Sequence, residues 1–159
     1  MGTERARTFL TFRQGEVVYA LPVAAVESVV EKPRVTKLPG HSAVKGVFNL
    51  RGSPVALGDL REMLEGGASD LERSGAVIVL NFGLPGGFRA RFGAFADGVD
   101  EVVELEAEPA NERLAGLGSS RAVTEVARHN EDFALLVDPV ALAVEMGVDA
   151  LAHQAAEAS

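Results

Sequence analysis

Apolar residues in this chain fall in short runs broken by glycine and proline, with no long stretch of helical spacing. Thr8 to Arg13 and Val17 to Leu21, rich in aromatic and β-branched residues, flank Gln14-Gly15-Glu16 and predict a hairpin. Pro22 has no amide to give a ladder and should end the second strand. Between Val23 and Val30, the positions Val26, Val29 and Val30 keep helical spacing while their β-branching favours extension. The expectation is a helical turn running into a strand. Leu38-Pro39-Gly40 reads as a loop, and Val44 to Leu50 and Pro54 to Leu57 form a strand pair around Arg51-Gly52. Asp59 followed by Glu62 is a capping-box-like start and Gly66-Gly67 a stop, so Leu60 to Glu65 should be a short helix.

The second half repeats the theme. Ala76 to Phe82, the loop Leu84-Pro85-Gly86-Gly87, Phe88 to Ala96 and Val99 to Leu105 are strand signals, and Glu106 to Ser120 reads as a loop. Arg121 to Arg128 and Phe133 to Val137 predict a last hairpin. Asp138-Pro139 then places an N-cap before a proline at the first helical position, with Gly147 closing that helix. Short strands with turn signals at this spacing predict small barrels. The order of elements occurs twice, which places a first barrel at about 8–66, a linker at 66–75, a second barrel at 76–147 and a tail at 148–159.

A chain of 159 residues with 47% hydrophobic content suits one domain, or two small barrels sharing a core, that folds without staples. Cysteine is absent, which excludes disulfides, thiolate metal sites and a cysteine nucleophile. The N-terminal residues carry charge but no signal-peptide stretch, and the most apolar window, Val17 to Val26, is too short to span a bilayer. A cytoplasmic protein without membrane insertion is expected. Net charge is -8, divided unevenly: residues 1–66 hold 9 basic and 7 acidic side chains, residues 67–159 hold 6 and 16. An acidic chain makes a poor nucleic-acid binder, since neutralising phosphates supplies most of that affinity. The positive first half should instead draw acidic protein partners through Arg34, Lys37, Lys45 and Arg51.

Catalytic patterns are missing. His41, His129 and His153 lie in separate segments without metal spacing, Ser119-Ser120 lacks a nucleophile-elbow context, and Gly83, Gly86 and Gly87 form no phosphate loop. Asp97, Asp100, Glu101 and Glu104 lack the EF-hand arrangement and read as a turn and a solvated strand face. No enzyme activity, cofactor or metal is expected.

The informative stretch is Val44-Lys45-Gly46-Val47-Phe48-Asn49-Leu50-Arg51-Gly52, followed by Asp59-Leu60-Arg61. A second block, Ala76 to Gly83 and then Phe92 to Val102, keeps the same order. Together they resemble the CheW family of chemotaxis coupling proteins over about residues 8 to 147. The resemblance implies a mainly β fold of two SH3-like five-stranded β-barrels sharing a core, with short helices and a groove between barrels. It also implies a non-enzymatic adaptor joining the regulatory domain of a CheA-type histidine kinase to the cytoplasmic helical hairpin tip of chemoreceptors.

Val26, Lys45, Gly46, Val47, Asn49, Arg51 and Gly52 are then the candidate partner-binding residues. Arg51 admits two roles, tying down its own turn through carbonyls or Asp59, or meeting a partner carboxylate with both guanidinium donors. The sequence departs from the family pattern where Ser28 stands in place of a glutamate, with Glu27 one residue early. It departs again at Ala56, in place of proline, and at Glu125, in place of glycine. An independent β-barrel module for a ligand or nucleic acid is the alternative, although Tyr19 is the sole tyrosine and tryptophan is absent.

Overall fold

In the computed structural model, which describes residues 6–31, 33–40, 43–66, 75–110 and 121–147, alternation along the strands sorts side chains into three apolar cores. β1 (Ala6–Gln14) and β2 (Val17–Pro22) form the expected hairpin. A 3-10 turn at Val23–Ala25 then leads into β3 (Val26–Glu31), as the mixed pattern of that segment suggested. β4 (Val35–Lys37) is a short strand that the sequence reading passed over. β5 (Gly46–Leu50), β6 (Ser53–Asp59) and helix α1 (Leu60–Glu65) follow. β7 (Ala76–Gly83), β8 (Arg89–Ala96), β9 (Gly98–Pro109), β10 (Val123–His129), β11 (Asp132–Val137) and helix α2 (Pro139–Met146) complete the described chain. The expected loop from Glu106 begins later, because β9 runs to Pro109; 111–120, with Ser119 and Ser120, lie outside the described residues, as do His41, His153, most of the 66–75 linker and the 148–159 tail.

The strands close a five-stranded barrel in the order β1-β2-β11-β10-β9 and build a curled six-stranded sheet in the order β3-β7-β8-β6-β5-β4. The division at 66–75 is therefore corrected. Residues 8–66 give two strands to the closed barrel and four to the curled sheet, and 76–147 supply the rest of both. The physical reason is pairing between distant segments: β9 returns to lie antiparallel to β1, and β11 meets β2 in parallel through Leu135 opposite Tyr19. Turn signals are local and carry no information about such pairings.

β7 is apolar almost throughout because both its faces are buried. Val77 and Val79 point into the curled sheet with Phe48, Leu50, Val55, Leu57 and Phe95, while Ile78 and Leu80 point the other way into the core shared by the two sheets. On β1, Phe9 enters the closed barrel beside Leu105 and Leu136, and Leu10 and Phe12 face the shared core. Burying each such side chain favours folding by about 1.5–3 kcal/mol.

The two helices seal the shared core. Asp59 caps α1 by accepting from the Arg61 amide at 3.1 Å, and Asp138 caps α2 by accepting from the Val140 amide at 3.0 Å, with Pro139 in the first turn. Leu60, Leu64, Leu142 and Ala143 are fully buried there. Gly93 of β8 allows the curled sheet to close tightly, since a Cβ at that position would lie 2.5 Å from Phe48 Cε1 and 2.7 Å from Val77 Cγ1.

Candidate partner-binding hairpin

The candidate residues Lys45 to Gly52 build the β5-β6 hairpin, whose two-residue turn is Arg51-Gly52. Both turn residues have positive φ, 51° and 88°, the geometry that matches the twist of paired strands and that glycine adopts without strain. Asn49 holds the turn by accepting from the Gly52 amide at 2.7 Å. Arg51 is exposed and has no hydrogen-bond or ion-pair partner among the described residues. It does not tie to Asp59, whose side chain is buried at the start of α1.

The other candidates have local tasks. Gly46 lets β4 approach, as a Cβ there would sit 2.7 Å from the Thr36 carbonyl oxygen. Lys45 pairs with Glu62 of α1 at 2.7 Å and is not a free cation. Val47 is half-buried on the outer face, where it lines a shallow groove of about 340 Å³ with Arg34, Thr36, Asn49, Gly52 and Pro54. Val26 lies apart from this hairpin, at the start of β3, where it packs partly against the shared core.

Strand register brings further charges to the same end of the sheet. β6 runs parallel to β8 from Leu57 opposite Gly93, and β8 pairs with β7 through Arg91 opposite Asn81, so the Arg51 turn, Arg89, Arg91, Asn81 and the start of β3 converge. A bulge between Val26 and Ser28 frees Glu27 from the β3-β7 register and turns its side chain to Arg91. Arg91 donates to both carboxylate oxygens, at 2.9 and 2.8 Å, Asn81 donates at 2.9 Å, and Arg89 in turn donates to Asn81 at 3.0 Å. These hydrogen bonds, from Arg91 first and Asn81 second, with the field of Arg51 assisting, hold the Glu27 carboxyl at about 2 against an ordinary 4.5.

These charges stand at the mouth of the core enclosed by the curled sheet, because Arg91 and Asn81 share strand faces with Phe95 and Val79. Sequence reasoning noted Glu27 only as a displaced glutamate and missed Asn81, Arg89 and Arg91. The alternation Arg89-Ala90-Arg91 on a strand was the available signal. It also missed Val102, which is 58% exposed on β9 opposite Leu10.

The Asp-Leu-Arg motif joins the two sheets. Arg61 donates to Asp97 at 3.0 Å, and the same Asp97 oxygen accepts from the Gly15 amide at 2.6 Å. Of the remaining acidic cluster, Asp100 pairs with Arg13 at 2.8 Å and Glu101 lies 3.9 Å from His129. Among the described residues no group of three potential ligands converges on a metal site. The hairpin end can bind carboxylates and apolar side chains.

The model of the CheW-like domain matches residues 8–146. The chain belongs to the CheW-like family. It is 32% identical over 130 residues to the chemotaxis protein CheW of Klebsiella aerogenes, covering 74% of this chain and 75% of that one. It is 37% identical over 70 residues to the protein PilI of Pseudomonas aeruginosa, covering 43% of this chain and 39% of that protein. The fold is similar to that of the scaffolding protein TtCheW from Thermoanaerobacter tengcongensis, with a TM-score of 0.69 at 22% identity over 84% of this chain and 89% of that structure. With CheW-like membership comes the broad role of a chemotaxis scaffold or adaptor, not of an enzyme. Among the described residues no helix is long and apolar enough to cross a membrane.

Proposed function

We propose that this CheW-like protein couples the regulatory domain of a CheA-type histidine kinase to the cytoplasmic helical hairpin tip of chemoreceptors, working in the cytoplasm at membrane receptor arrays. The observation that carries this reading is Arg51, an exposed guanidinium on a two-residue turn with no hydrogen-bond or ion-pair partner among the described residues. The turn fixes the backbone from which this guanidinium projects, and the guanidinium can meet a partner carboxylate with two donors. Val47 and the groove beside it add an apolar contact next to that charge, Val26 packs partly against the shared core, and Val102 offers exposed apolar surface on β9.

The kinase and the receptor would each favour particular conformations of the other through contacts to this one body, with no phosphate passing over the chain. The test is retention of the purified protein on an immobilised kinase regulatory domain and on a receptor-tip hairpin. Binding to both, weakened by Arg51→Gly, is the expected result. Binding to neither would overturn the reading.

A further inference from the structure

On the closed barrel, away from the hairpin, β9 and β10 pair only through Glu125 opposite Pro109, Val126 opposite Glu108 and Ala127 opposite Ala107. Continued register would set Arg128 against Glu106 and His129 against Leu105. Both strands remain extended there, yet no pairing forms. Beside this fork lies a cleft of about 360 Å³ lined by Glu106, Glu108, Val126, Ala127, Arg128 and Phe133. Arg128 does not cross it, because its guanidinium lies over the Phe133 ring, 5.3 Å from the centroid. Glu106 and Glu108 have no ion-pair partner among the described residues, and Phe133 is 57% exposed.

We infer that this cleft is a docking site for an extended segment of a partner protein that alternates basic and apolar side chains and adds to the open edge of β9. An unpaired strand edge offers backbone donors and acceptors at ladder spacing, and alternate side chains of an added strand point to opposite faces. Glu104, Glu106 and Glu108 share the outer face of β9, whereas Leu105 and Ala107 face the barrel interior. Basic side chains of the occupant meet the glutamates, and its apolar ones face Leu105 and Ala127. Arg128 stacked on Phe133 forms the opposite wall.

The test uses the full chain and a fluorescent peptide alternating lysine and valine, with binding read by anisotropy. Three comparisons accompany it: the glutamate–valine counterpart, the lysine–valine peptide N-methylated at each valine, and a Glu106→Lys/Glu108→Lys variant whose melting temperature is checked first. The expected result is saturable binding of the lysine–valine peptide alone, weakened by about tenfold or more both by N-methylation and by the variant. Equal binding of the N-methylated peptide would mean charge adhesion without strand pairing and would overturn the inference. So would unchanged affinity in the variant, or no binding of the lysine–valine peptide at all.

Discussion

Glu27 and Arg91 meet fork to fork, Nε at 2.9 Å from Oε1 and Nη2 at 2.8 Å from Oε2, across the open end of the curled sheet. Bidentate pairs of this kind fix orientation as well as charge.

Acid unfolding tests that pair. The Glu27 carboxyl sits at about 2 in the folded chain against 4.5 ordinarily, a depressed value. Its stabilising effect is therefore fully present above 4.5 and is lost as pH falls through that interval towards 2. Urea melts taken at steps across this range should show a shallower fall of stability for Glu27→Gln than for the parent. Parallel slopes would show that the pair contributes nothing.

Arg51→Gly separates folding from binding. A non-glycine residue at the φ of 51° carries strain, so glycine there should leave the melting temperature unchanged or raise it. Partner affinity should fall by about 1.5–3 kcal/mol, the worth of a charge-assisted contact. Asn49→Ala should do the reverse to the melt, lowering stability by about 1 kcal/mol through loss of the bond to the Gly52 amide.

Lys45 belongs to an ion pair, and that changes what its substitution reports. Lys45→Glu sets two carboxylates together at the start of α1, beside Glu62, and should destabilise by about 0.5–1 kcal/mol. The swapped pair Lys45→Glu/Glu62→Lys should recover most of that loss. A double-mutant cycle in chemical denaturation reads the coupling directly. Slower partner association by Lys45→Glu alone would thus not isolate a steering effect.

Arg61→Ala should be costlier than a surface change, by about 1–3 kcal/mol, because Arg61 spans from α1 to the half-buried Asp97 that also holds the Gly15 turn. Amide exchange should rise at Gly15 and Asp97 together. Protection unchanged at both would mean the two sheets are joined by apolar packing alone.

What the chain revealed in advance was local chemistry. Asp59 and Gly66 bounded α1, Asp138-Pro139 and Gly147 bounded α2, and Gly52 after Arg51 marked the hairpin turn, because caps and turns are settled by a few neighbouring residues. The ion-pair cluster was hidden because Glu27, Asn81 and Arg91 come together only through β3-β7-β8 register and a bulge. β4 was missed since three residues, Val35 to Lys37, are too few to show alternation.

The return of β9 to β1 makes the closed barrel a late-finished structure. A ribosome releases β1 and β2 long before the three staves that complete their cylinder, and pairings between such distant segments slow folding. The same arrangement makes the molecule divisible in an unusual way. Cut in the 66–75 segment, neither fragment holds a full set of strands for either sheet, so each is unfinished alone and complementary to the other. The two pieces co-expressed should reassemble into one body.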